Sequence, residues 1–258
     1  IHLHARHQNE YADKASLNSS TKSMSKHSLL GLIDSLESAI NELNWSPQKS
    51  EWTNYYNECS HVTTFLDEKI NLINNYLDFL KPKTLWDLGA NTGVFSRIAS
   101  ERGVYTVSMD IDPSCVEINY LQGLEKKEKN LLPLLIDLNN PTPAIGWNNE
   151  ERMSFQDRGP VDTIFALALI HHLAISNNVP LTKVANFFSN ICQSLIIEFI
   201  PKCDLMVQKL LASREDIFPD YTQILFENCF RKFFNIIKTE KISNSGRILY
   251  LMKNKNHA

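Results

Sequence analysis

Residues 86–93, Trp86-Asp87-Leu88-Gly89-Ala90-Asn91-Thr92-Gly93, end an apolar run on an acid and follow it with two glycines in a turn of small residues. Glycine takes positive φ without steric cost, so a stretch of this kind leaves a strand sharply. Three ligand classes use such a turn. A nucleoside triphosphate needs G-x-x-x-x-G-K-[ST], whereas Gly93 is followed by Val94 and Phe95, and no lysine is placed to reach phosphates. A dinucleotide needs G-x-G-x-x-G, and Asn91 stands where the middle glycine would admit pyrophosphate, which disfavours an NAD-dependent oxidoreductase. The third pattern, D-x-G-x-x-x-G, suits a ligand with an amino-acid end and a sulfonium cation, beside which the Asp87 carboxylate is electrostatically sensible.

Outward from the turn, short apolar runs alternate with helical patterns from Lys83 onward, as in βαβ units of a parallel sheet. The expected strands are "TLWDLG", "VYTVSMDI", "LLPLLIDL", "DTIFALAL", "SLIIEFI", "FNIIKTEKI" and "GRILYLMKN". Only Ser243, Asn244 and Ser245 join the last two, so these form an antiparallel hairpin, because a parallel pair needs a crossover of a dozen or more residues. Before this region, Leu29, Leu30, Ile33, Leu36, Ile40 and Leu43 recur at helical spacing up to Pro47. A second helical stripe contains Phe65, Ile70, Ile73, Leu77 and Leu80 and stops at Pro82. Both stripes are expected to pack on the sheet, with Tyr55 and Tyr56 between them as pocket candidates. Residues 8–27 are polar and read as a linker.

The composition removes whole classes of function. A net charge of −3 creates no global positive field, so nucleic acid is disfavoured as a partner. No apolar run approaches the ~20 residues of a membrane span. The 5 cysteines are scattered without a C-x-x-C pair, which speaks against a disulfide framework or zinc ribbon and for a cytoplasmic location. His2, His4 and His7 lack a fourth ligand and an ordered scaffold, so no metal site is expected. The start at Ile1 shows neither an initiating Met nor a signal-peptide core, and reads as a processed chain or the tail of a longer upstream region that residues 1–80 could contact.

With its glycine turn and strand order, the sequence resembles the class I S-adenosylmethionine-dependent methyltransferases, over roughly residues 83–255. The resemblance implies an α/β fold, Rossmann-like and doubly wound, with five parallel strands and a C-terminal antiparallel hairpin in the order 3-2-1-4-5-7-6, preceded by an N-terminal helical segment. It divides the chain into a linker and helical cap at 1–80 and a cofactor-binding domain at 81–258. S-adenosylmethionine is the implied cofactor. Asp87, Gly89, Ala90, Asn91, Thr92 and Gly93 would wrap its methionine end. Asp110 would bind the ribose and lies about 20 residues beyond Gly89, the separation at which doubly wound folds place a ribose acid. Ile111 would pack on the adenine, Asp137 would accept its amino group, and the Leu138 N–H would face its ring. An Asp at a strand end also caps helices well, and Asp112 before Pro113 reads as a cap.

The residues after strand 4, "LALIHHLAISNN", place His171 and His172 where the methyl group would lie, as a general base or an orienting pair titrating near neutrality. "ALIHHL" lacks the Asn/Asp-Pro-Pro-aromatic signature of base-amine methylation, which disfavours a base amine as acceptor, and there is no catechol-type metal trio; the first hypothesis is a methyltransferase acting on a small-molecule or cell-surface-related acceptor. Two polar stretches are substrate-side candidates: 139–161, with Trp147, Arg152 and Arg158, and the segment after strand 5, with Lys202, Arg214, Glu215, Asp216, Asp220 and Tyr221. Within the class the sequence looks like a bacterial group related to nodulation-associated methyltransferases. The alternative from another class is a non-catalytic S-adenosylmethionine-binding module of a larger protein.

Overall fold

The computed structural model describes residues 24–50, 52–53, 63–212, 214–243 and 245–257. Tyr55, Tyr56 and the three N-terminal histidines lie outside the described residues. The chain divides into two compact units, Ile1–Ser46 and Pro47–Ala258.

In the first unit, α1 (Lys26–Asn41) is capped by Ser25, whose hydroxyl accepts the Ser28 N–H. Its apolar stripe forms the helix, and Leu29, Ile33, Leu36 and Ile40 are exposed along it.

The second unit is built on one seven-stranded sheet: β1 (Thr84–Leu88), β2 (Tyr105–Asp110), β3 (Leu131–Leu135), β4 (Val161–Ala166), β5 (Cys192–Phe199), β6 (Phe234–Lys241) and β7 (Ile248–Asn254). The order is 3-2-1-4-5-7-6, with β1 to β5 parallel and β7 antiparallel to both β5 and β6, as the sequence leads one to expect. At the β3 edge, Asn130 and Ile136 bond to β2, so the intervening Pro133 turns its missing N–H outward, where it blocks addition of another strand.

Strand alternation sorts the side chains onto two buried faces. Trp86, Leu88, Ile164, Ala166, Leu195 and Ile197 enter one core, together with α5 (Leu181–Ile191) and the aromatic residues of α7 (Gln223–Phe230). Leu85, Phe165, Ile196, Leu249 and Leu251 enter the other, beneath Ile73, Tyr76 and Leu77 of α2 (Thr63–Leu80) and Phe95 and Ala99 of α3 (Val94–Ser100). On that second face the alternation also points two acids inward, Asp87 of β1 and Glu198 of β5, both buried. The remaining helices are α4 (Pro113–Lys126), between β2 and β3, and α6 (Leu205–Ala212), after β5.

Candidate functional site

The glycine turn is sewn to β2 by its own backbone. The Gly89 and Ala90 N–H groups both donate to the Met109 carbonyl at 2.9 Å, and Gly89, Asn91 and Gly93 have φ of 75°, 52° and 80°. Asp110 holds the next link: its Oδ2 accepts the Asn91 N–H at 2.7 Å and its Oδ1 the Asp112 N–H at 2.9 Å. The acid expected on the ribose therefore also shapes the turn. Asn91 Nδ2 donates to the Trp52 carbonyl at 2.9 Å. Asp112 caps α4 by accepting the Ser114 N–H at 2.8 Å, with Pro113 opening the helix.

These elements border a cavity of about 230 Å³ at the C-terminal ends of the parallel strands, where open α/β sheets bind ligands. Of the residues named from sequence, Asp87, Gly89, Ala90, Asn91, Asp110, Ile111, Asp137, Leu138, His171 and His172 line it. Thr92 and Gly93 do not. Gly93 faces away: a Cβ there would sit 2.6 Å from Cγ of Asn119, so this glycine is demanded by packing behind the turn rather than by space for a ligand. Arg97 braces the same turn from behind, donating to the Thr92 carbonyl at 2.7 Å. Asp137 accepts the N–H of Asn139 at 2.8 Å, so part of its acceptor capacity is spent locally.

Burial dominates the electrostatics. Desolvation raises the Asp87 carboxyl to about 7, against the Ser96 hydroxyl, which donates to it at 2.6 Å, and the cation of Lys69. Desolvation raises the Asp110 pKa as well, opposed by the backbone N–H groups of Asp112, Asn91 and Ile111. His172 is lowered to about 4 by burial, and His171 falls well below its ordinary value from burial, its neighbour's charge and Arg247. Burial thus shifts both imidazoles away from the range near neutrality that an exposed ring would show, and both are neutral at pH 7, because their charged forms would be desolvated. The rings lie 4.1 Å apart, and Trp52 packs edge-on against His172 at 5.2 Å. The Nδ1 of His171 is buried and has no hydrogen-bond partner among the described residues.

Sequence reasoning did not single out several of the lining residues, among them Lys69, Phe95, Trp52 and Met206. Lys69, 4% exposed, reaches the cavity from α2, pairs with Glu198 at 2.6 Å and lies 4.5 Å over the Phe95 ring. Its position four residues before Ile73, on the buried stripe of α2, was the available signal: a charge there must find a partner. Trp52 and Met206 also line the cavity. Several of the residues named after β5 make bonds outside the cavity. Lys202 pairs with Asp216 at 2.8 Å, Tyr221 donates to the Ile200 carbonyl at 3.0 Å, and Arg214 clamps the turn after β4 through the Ile175 carbonyl and Asn178. Trp147 stands 85% exposed. No group of three or more His, Cys, Asp or Glu able to hold a metal occurs among the described residues, and none of their helices is long and apolar enough to cross a membrane.

Sheet order, the acid-glycine turn after β1 and acids at the ends of β2 and β3 give the chain the fold of the class I S-adenosylmethionine-dependent methyltransferases. More particularly, it is similar in sequence to nodulation protein NoeA of Rhizobium meliloti (strain 1021), with 36% identity over 204 residues, 79% of this chain and 43% of NoeA. The chain thus spans less than half of that relative's length. Among solved structures it is similar to magnesium protoporphyrin IX methyltransferase (ChlM) from Synechocystis PCC 6803 with bound SAH, at a TM-score of 0.53 and 15% identity, over 74% of this chain and 84% of ChlM. It is equally similar to the N-methyltransferase NodS from Bradyrhizobium japonicum WM9, at a TM-score of 0.53 and 8% identity, over 75% of this chain and 98% of NodS. No protein-family model matches the chain.

Proposed function

We propose that this chain is an S-adenosylmethionine-dependent methyltransferase acting on a small-molecule or cell-surface-related acceptor, with residues 81–258 as the methyltransferase domain and the preceding segment as its cap. The observation that carries this reading is one cavity lined by Asp87, Asp110 and Asp137, three acids from the ends of successive strands, and by His171 and His172 from the turn after β4. The donor set fits the cofactor: carboxylates for an ammonium and ribose hydroxyls, apolar Ile111 and Leu138 for a flat base, and no lysine-bearing phosphate loop.

In this reading S-adenosylmethionine supplies an activated methyl group. Asp87 would hold the ammonium, Asp110 the ribose hydroxyls and Asp137 the adenine amine, with the Leu138 N–H available to the adenine ring. In-line displacement demands alignment above all, and the neutral imidazoles of His171 and His172 orient a protic acceptor by accepting its hydrogen bond. The buried, unpartnered Nδ1 of His171 supports this role, because a buried polar atom left without a partner is costly. A cytoplasmic location and contacts with further parts of a longer protein belong to the same proposal. The test is transfer of label from methyl-labelled S-adenosylmethionine into fractionated lysate of the source cell. Label in a small-molecule or envelope fraction is expected; binding of the cofactor with no transfer would favour the non-catalytic module.

A further inference from the structure

Glu198 is fully buried, on a strand that is otherwise apolar around it, and one of its oxygens does two things at once. Oε2 accepts the Lys69 ammonium at 2.6 Å and the Ala168 backbone N–H at 2.9 Å. Oε1 lies 3.6 Å from Arg247 Nη1, and Arg247 is itself held by Asp204 at 2.7 Å. A buried carboxylate is tolerated only when paired and hydrogen-bonded, and this one is both.

What it grips is informative. Ala168 has φ of 50°, a left-handed conformation that a residue with a Cβ adopts at a cost and keeps only when its surroundings impose it. The residues that follow, Leu169, His171 and His172, line the cavity, as does Lys69. We propose that Glu198 is a positioning residue: by accepting the Ala168 N–H it fixes the left-handed turn that sets His171 and His172 in the cavity wall, while the same oxygen holds Lys69 in that wall. Its assignment to the acceptor side rests on the methyltransferase reading; its grip on the turn does not. A carboxylate has acceptor sites for both donors, whereas a counter-ion for Lys69 alone would leave the Ala168 N–H to find another partner.

Replacing Glu198 alone would strand the Lys69 charge in the core, so the comparison is made without that charge. Lys69→Met/Glu198→Gln keeps a side-chain oxygen for the Ala168 N–H; Lys69→Met/Glu198→Leu removes it. Hydrogen exchange of the peptide covering 166–173 reads the turn, and calorimetry with S-adenosylhomocysteine reads the cavity. Loss of one buried hydrogen bond predicts exchange about 10-fold faster in the Leu variant than in the Gln variant, with S-adenosylhomocysteine affinity alike in the two because the turn carries the acceptor-side histidines. Equal exchange in the two folded variants overturns the proposal and leaves Glu198 as a counter-ion. Should either variant fail to fold, the Ala168 amide of the unaltered protein decides: a temperature-insensitive amide proton is expected, and one with the coefficient of a solvent-exposed amide overturns the proposal. Failure of the methyltransferase reading is distinguishable, since it shows as no binding of S-adenosylhomocysteine by the unaltered protein while the turn stays protected.

Discussion

Two glycines with nearly the same positive φ separate packing from strain. Gly93 and Gly103 have φ of 80° and 82°. Alanine at either position forces a Cβ into left-handed space, costing about 1–2 kcal/mol. At Gly103 a Cβ meets nothing within 4 Å, so that cost stands alone. At Gly93 the Cβ would lie 2.6 Å from Cγ and from Nδ2 of Asn119. Asn119 is 1% exposed, its Nδ2 donates to the Ser108 hydroxyl at 2.8 Å, and its carbonyl accepts from Arg97 at 3.0 Å. The carboxamide cannot swing aside without giving up its bond to Ser108 inside the core. Overpacking of this kind adds about 1–3 kcal/mol, so Gly93→Ala should destabilise the protein by about 2–5 kcal/mol and Gly103→Ala by about 1–2. Any gain from restricting the unfolded chain is common to both substitutions and cancels in the comparison. Urea denaturation at matched m-values measures the difference. Equal destabilisation by the two substitutions would refute the claim that Asn119, and not the backbone alone, fixes a glycine at 93.

Further predictions concern protons. With its carboxyl at about 7, Asp87 is partly protonated at neutral pH; an ammonium binding beside it favours the ionised form, so S-adenosylhomocysteine should bind more tightly as pH rises from 6 to 8. Calorimetry in buffers of different ionisation enthalpy should show protons released on binding near pH 6.5, and a buffer-independent enthalpy would contradict the placement of Asp87 against the ligand. His172, at about 4 in the folded chain against the ordinary 6.5, stays neutral while the unfolded chain takes up a proton; stability present above pH 6.5 is therefore lost as pH falls toward 4, by up to about 3 kcal/mol. An NMR titration giving His172 a midpoint near 6.5 would contradict its burial. Replacing His172 by Ala should lower methyl transfer by about 10- to 100-fold with little effect on cofactor affinity if the ring orients the acceptor, and loss of affinity instead would move it to the cofactor side.

The parts legible in the sequence are those that depend on local pattern. "TLWDLG" and "VYTVSMD" are strands because their alternation serves two buried faces, and the short link between β6 and β7 permits only an antiparallel return. Asp87 was legible in the acid-glycine pattern of the turn and Asp110 in its spacing from Gly89, whereas Asp137 was named through the family resemblance. What remained hidden depends on partners far along the chain. Lys69 and Glu198 are 129 residues apart, and each looks like a misplaced charge until the other is seen. The shift of His172 to about 4 comes from burial that no local spacing reveals. Asp110 was read as a ligand group, but its two bonds to the Asn91 and Asp112 N–H groups also make it part of the turn. Of the segment after β5, a substrate-side candidate in the sequence, Lys202, Asp216 and Arg214 tie loops together, and the apolar Met206 lines the cavity.

The central claim is that the cavity at the ends of β1 to β4 holds the amino-acid, ribose and adenine parts of S-adenosylmethionine. Titration calorimetry of the chain with S-adenosylhomocysteine and, separately, with NADH tests it most directly. One equivalent of S-adenosylhomocysteine should bind, more weakly by about 1–3 kcal/mol in Asp110→Asn, the scale of a hydrogen bond to a charged group, while NADH does not bind. Tight binding of NADH, or S-adenosylhomocysteine affinity indifferent to Asp110→Asn, would contradict it.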